Sequence, residues 1–165
     1  MKNIIKNPIL LVILSVVAII IVAAVFKPAP AEKSDEAVAA VLTGEIMSYD
    51  FGSISMAKGK VSYDFKVKNT TAEKVEIKKM YTSCMCTEAL FIKGDSQKGP
   101  FGMPGHGYVP PVNEPLEPGE EAIVRAIFDP AAHGPAGVGL IQRAVYLEGE
   151  HSKLIELQFS ATVTP

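Results

Sequence analysis

The chain has 165 residues, 16 Lys and Arg against 18 Asp and Glu, two cysteines and no tryptophan, for a formal net charge of −2. That is room for one domain of ordinary size. All 18 acids but only 14 of the bases lie after residue 26. A general phosphate-binding surface, and with it a nucleic-acid partner, is therefore not expected, since such surfaces are built from clustered Lys and Arg.

Residues 9–26 are apolar except for Ser15. As a helix this run is about 27 Å long and with its flanks spans a hydrocarbon core of about 30 Å. Lys2 and Lys6 precede it, so the positive-inside rule leaves residues 1–8 in the cytoplasm. The competing reading is a signal peptide cleaved near Ala29-Pro30-Ala31, but the apolar run is longer than the usual cleavable one. Both readings place the rest of the chain outside the cytoplasm. The expected arrangement is a cytoplasmic N-terminus over 1–8, a single transmembrane helix over 9–26 that makes the membrane itself a partner, an extracytoplasmic linker over 27–44, and a folded domain over 45–165. Within the linker, Pro28 and Pro30 favour extended backbone. Ser34 could cap a short helix that runs through Ala37–Leu42 and stops at Gly44.

The folded part alternates with period two. Val61, Tyr63, Phe65 and Val67 are separated by polar residues, and Asn69-Thr70-Thr71 then turns the chain. Val75 and Ile77, then Val124, Ala126 and Phe128, repeat the pattern, and Ala144 and Tyr146 continue a mixed run. Ile155, Leu157, Phe159, Ala161 and Val163 form the cleanest strand and should be core. Strands without interleaved helices predict an all-β fold, an antiparallel β-sandwich. From Thr87 to Pro118 the alternation fades among Gly99-Pro100, Pro104-Gly105 and Pro110-Pro111. A long Gly/Pro-rich connection is expected over 88–117.

Several motifs stand in a fixed order: Tyr49-Asp50-Phe51-Gly52-Ser53-Ile54; Val61 to Thr70, ending Lys68-Asn69-Thr70; Ser83-Cys84-Met85-Cys86-Thr87; Pro118-Gly119-Glu120; and Phe128-Asp129-Pro130. The ordered set resembles the bacterial family known as domain of unknown function 1573. The resemblance implies an exported, immunoglobulin-like sandwich of the major-sperm-protein type and carries no established activity. Two features depart from the family pattern: Met85 stands where a glycine is usual, and the connection after Thr87 is longer.

Cys84 and Cys86 are the only cysteines. On a strand their Cα atoms would lie about 6.5–7 Å apart on one face, at the limit for a disulfide of about 6.8 Å. A bridge would be strained and easily reduced. Two thiolates could instead hold a soft ion such as Cu(I), with Met103 or His106 from the 88–117 segment as third ligand. The spacing does not fit a structural zinc site. Core packing or an exported disulfide is the preferred explanation of the pair, His106 fits a solvated loop and Met103 loop packing, and His133 and His151 fit surface turns. No phosphate loop, zinc-protease helix or serine-nucleophile elbow occurs. The expected function is a non-enzymatic, membrane-anchored binding or scaffold module facing another envelope protein. The alternative is copper or thiol-redox handling at Cys84, Cys86, Met103 and His106.

Overall fold

The computed structural model describes residues 41–165. The expected anchor over 9–26 and the expected helix from Ser34 to Ala40 lie outside the described residues. Among the described residues there is no α-helix, and no helix is long and apolar enough to cross a membrane.

Eleven strands follow one another: β1 Leu42–Gly44, β2 Ser48–Ser55, β3 Val61–Asn69, β4 Val75–Ile77, β5 Lys79–Thr82, β6 Thr87–Lys93, β7 Ser96–Phe101, β8 Glu114–Leu116, β9 Glu121–Phe128, β10 Gly139–Glu148 and β11 Lys153–Thr164. They form a five-stranded sheet in the order β1-β3-β9-β6-β7, a four-stranded sheet in the order β2-β11-β10-β5, and a β4-β8 pair. The apolar faces of the sheets supply one core. From the five-stranded sheet come Phe65, Val67, Phe91, Val124 and Phe128; from the other come Met80, Val145, Leu147, Leu157 and Phe159. The all-β sandwich expected from the alternation is present, and every apolar residue named in the last strand is buried.

Four expectations change in detail. The sandwich is not wholly antiparallel, because β2 runs parallel to β11. Leu42–Gly44 is a strand paired to Val67–Asn69, not the end of a helix, so the domain begins before residue 45. On β10 the core-facing phase is Ile141, Val145 and Leu147, one residue out of step with the expected Ala144 and Tyr146, of which Ala144 is buried and Tyr146 half-buried. Half of the expected connection over 88–117 is strand. β6 and β7 form a hairpin with Lys93 paired to Ser96, and Gly94 takes a positive φ of 56° at its turn. That conformation costs glycine little. The alternation there was masked because β6 is apolar on both faces and β7 is largely exposed. Beyond the hairpin turn and Glu117, the part without strands is residues 102–113. Their far end is pinned to the hairpin by the Lys98 ammonium, which donates to the Val112 carbonyl at 2.7 Å and pairs with Glu114 at 2.8 Å. That pairing holds the Glu114 carboxyl below its ordinary range.

The motif residues do structural work at these joints. Tyr49 stacks on Tyr63 across the two sheets at 3.7 Å between ring centroids, and Phe51 meets Phe159 edge-on at 5.6 Å. Gly52, at φ 68°, sits where the β2–β11 register slips by a residue, and its N–H is capped by Asp50. Asn69 is fully buried, not an exposed turn residue. Its amide nitrogen donates to the Glu73 and Leu116 carbonyls, both at 2.8 Å, and its oxygen accepts from the Thr71 N–H and hydroxyl. Its backbone exchanges hydrogen bonds with Gly119 and Glu120. The Lys68-Asn69-Thr70 and Pro118-Gly119-Glu120 motifs are thus two sides of one buried joint.

Candidate functional site

One of the links between the two main sheets is the turn Ser83–Cys86, which joins β5 to β6. Its backbone is held on three sides. The Thr87 N–H closes the turn on the Cys84 carbonyl at 3.1 Å, the Ser83 N–H donates to the Ala144 carbonyl at 3.0 Å, and the Asp129 N–H donates to the Cys86 carbonyl at 2.9 Å. The buried Thr82 hydroxyl lies 3.0 Å from the Cys84 and Thr87 carbonyls. The cysteines therefore sit in a turn, not on a strand, and both are free thiols. A turn brings i and i+2 side chains together by folding the backbone, so the fixed strand spacing does not apply.

Asp129 starts the second half of the site. Its carboxylate accepts from the Ala131 N–H at 2.9 Å and its carbonyl from the Ala132 N–H at 3.3 Å. This Asx-type turn carries the chain to His133, which precedes the short 3-10 turn Gly134–Gly137. The His133 Nε2 lies 3.2 Å from the Cys84 Sγ. From β10, the Arg143 Nε donates to the Cys86 Sγ at 3.3 Å. Arg143 has the strand phase of Ile141 and Val145, so it occupies a position that elsewhere on β10 faces the core.

The two thiols differ. Cys86 is buried at 2% exposure, and burial, with the neighbouring Cys84, pushes its pKa up against the opposing pull of Arg143 and Thr87. Cys84 is half-buried. Partial burial alone would raise its pKa, but hydrogen bonds from Cys86 and His133, and the charge of Arg143, outweigh it and bring the thiol down to about 7. Arg143 in turn is held above its ordinary value by its cysteine contacts, which outweigh its own desolvation. A thiolate at Cys84 at neutral pH is a nucleophile and a soft-metal donor.

The donor atoms of Cys84, Cys86 and His133 all lie within 4.8 Å of one another, and among the described residues this is the group of His, Cys, Asp or Glu side chains so arranged. The structure brings Cys84 and Cys86 together from a turn rather than from one face of a strand. The third partner differs: His133, expected in a surface turn, takes the place expected of His106. His106 is exposed and belongs with Met103 to a separate turn, closed by the His106 N–H on the Met103 carbonyl at 3.2 Å. His133 and Arg143 were missed because each meets the cysteines only through tertiary structure. The Asp-Pro turn four residues before His133 was the one local signal; Arg143 carried none, because the expected apolar phase of β10, Ala144 and Tyr146, placed it on the polar face.

Large apolar side chains are exposed on the same segments. Met85, between the cysteines, is 51% exposed, and Val138 and Leu140, which lead from the His133 turn into β10, are 45% and 81% exposed.

The comparisons with known proteins bear on the fold. A protein of unknown function from Porphyromonas gingivalis W83 superposes with a TM-score of 0.51 at 12% identity, over 78% of this chain and 51% of its own. The chain thus spans about half the length of that protein. The secreted serine protease VesC from Vibrio cholerae superposes with a TM-score of 0.48 at 8% identity, over 77% of this chain and 24% of its own. The ASH / PapD-like domain of human CEP192 gives 0.41 at 14% identity, over 76% of this chain and 86% of its own. No curated protein matches the chain. Residues 42–102, which carry the Tyr-Asp-Phe-Gly, Lys-Asn-Thr and Cys-x-Cys motifs, match the family described as "Protein of unknown function (DUF1573)", the family the ordered motifs resemble.

Proposed function

We propose that the chain is a membrane-anchored, extracytoplasmic binding or scaffold module of the bacterial envelope, acting without catalysis, and that its cysteine end is the face presented to another envelope protein. The anchor rests on the apolar run at 9–26. The binding role rests on one observation. The two segments joined by the Cys84–His133 contact both carry large exposed apolar side chains, Met85 on one and Val138 with Leu140 on the other. Large apolar side chains left exposed on segments joined at one end of a fold are candidates for an interaction surface. The sandwich itself is a common scaffold for binding, which is an analogy of fold.

The test uses the full chain in intact cells. A photo-crosslinking residue at position 85 should yield a discrete adduct with an envelope protein, and Leu140→Glu should abolish it. The same probe at Gln97, on exposed β7, should yield none. Protease added outside the cytoplasmic membrane should remove the β-domain. Equal labelling from positions 85 and 97, or a β-domain protected by an intact cytoplasmic membrane, would overturn the proposal.

A further inference from the structure

A binding face needs apolar contact and shape; it has no use for two thiols, an imidazole and a guanidinium packed together beneath it. Cys84 and Cys86 supply soft sulfur donors from a turn braced by Thr87, Asp129 and Ala144, and His133 supplies a nitrogen donor from a loop tied to that turn through Asp129. Two donors on one first-row ion, with bonds of about 2.3 Å to sulfur and 2.0 Å to nitrogen, stand roughly 3.5–4 Å apart. The Cys84 Sγ and His133 Nε2 stand 3.2 Å apart, a few tenths of an ångström inside that span, and all three donor atoms lie within 4.8 Å of one another, so small side-chain shifts bring them to an ion.

We propose that Cys84, Cys86 and His133 bind one Cu(I) ion, and that Arg143 is the cation that neutralises the loaded site. Ligand softness narrows the ion to a thiophilic metal, and charge selects among thiophilic metals. Two thiolates and a monovalent ion carry one net negative charge, which the Arg143 guanidinium beside the Cys86 sulfur cancels. With a divalent ion the thiolates are already balanced, and Arg143 leaves a net positive charge against a sulfur that is 2% exposed. The Arg143 guanidinium is half-buried, so this excess charge is only partly solvated and is disfavoured beside a buried sulfur. The exposed His133 and half-buried Cys84 leave the ion a route in. On binding, the cysteine sulfurs act as thiolates, any thiol protons pass to solvent, neutral His133 contributes its Nε2 lone pair, and copper stays monovalent throughout. Arg143 acts on the metal through the Cys86 sulfur, as an outer partner that tunes a ligand.

The experiment titrates Cu(I), without oxygen, into the reduced full-length chain in detergent against a coloured Cu(I) chelator, with Zn(II) titrated in parallel. One Cu(I) per chain is expected, retained against an equal concentration of Zn(II). Cys84→Ser and Cys86→Ser should each weaken Cu(I) binding by about 100-fold or more, and His133→Ala by about tenfold. Arg143→Gln should weaken Cu(I) by about tenfold yet leave Zn(II) unchanged or stronger, a split that a merely structural arginine would not produce. X-ray absorption of the loaded chain should show sulfur and nitrogen neighbours, the nitrogen lost in His133→Ala. Because His133 is exposed, that variant stays informative even if Cys86→Ser fails to fold. Displacement of Cu(I) by equal Zn(II), unchanged affinity in Cys84→Ser and His133→Ala, or loss of affinity in His106→Ala instead of His133→Ala would each overturn the proposal.

Discussion

Along the middle of the sandwich, β10 and β11 face the other sheet with Val145, Leu147, Leu157 and Phe159, all fully buried. A few residues toward the end, the same strand phase of β10 brings in Arg143, and what it meets is a sulfur. The middle is held by apolar area removed from water, which is non-directional and tolerant of exchange among similar side chains. The cysteine end is held by hydrogen bonds of fixed length and direction, from Ser83, Thr87 and Asp129 to neighbouring backbone. Such contacts specify one arrangement of a few atoms, as a site requires. One fold thus joins an apolar middle to an end where sulfur, imidazole and guanidinium side chains from three segments converge.

That division can be broken or sharpened by mutation. The largest effect is expected in the middle. Phe159 is fully buried with rings of Phe51 and Phe128 each 5.6 Å away, and Phe159→Ala should cost about 3–5 kcal/mol in urea unfolding. A loss below about 1 kcal/mol would mean that this strand does not anchor the core. Asn69 comes next. Asn69→Ala strands the Leu116 carbonyl and the Thr71 donors that its side chain satisfies, and about 2–3 kcal/mol should be lost; retention of full stability would show that water replaces the amide.

A smaller effect separates the outer face of the β5–β10 pair from both regions. The Tyr81 hydroxyl donates to the Glu148 carboxylate at 2.6 Å, and that bond, with partial burial and the carboxylate charge, pushes the phenol up to about 12. A folded value above the unfolded one of about 10 means that this stabilisation is fully present below pH about 10 and disappears as pH rises through about 12. In an absorbance titration Tyr81→Phe should remove the last tyrosine to ionise, at a cost of about 1 kcal/mol or less at neutral pH. Loss of an earlier component instead would place the raised phenol elsewhere. The smallest effect belongs to Leu140→Gln. With its side chain 81% exposed, stability should change by no more than about 0.5 kcal/mol while crosslinking from position 85 falls. A large destabilisation would make Leu140 a packing residue and remove it from the proposed face.

Legibility in the sequence obeyed the same division. β11 was readable because each apolar residue alternates with a polar one over ten positions, and a one-residue slip would bury the polar set. The β6–β7 hairpin was not, because β6 is apolar on both faces and β7 runs exposed along the sheet edge, so neither shows a period of two. Cys84 and Cys86 drew attention as a pair, and the structure keeps them together. Their third partner was sought in the nearer loop, at Met103 or His106, whereas the chain turns His133 toward Cys84 from 49 residues away. Asn69 looked like a turn residue by type, and only its burial between two motifs shows its purpose.

The sequence by itself determined the all-β class, the core faces of β3, β4, β9 and β11 and the nearness of two thiols, because each of these is set by spacing along the chain. Only the tertiary structure decided that β2 runs parallel to β11, that His133 and not His106 meets Cys84, and that Arg143 faces Cys86. Those are contacts between segments distant in sequence, chosen by how two sheets close over one core and by which loop the backbone hydrogen bond from Asp129 to Cys86 draws in. Local pattern encodes which face of a strand is apolar; it does not encode which other strand or loop that face will meet.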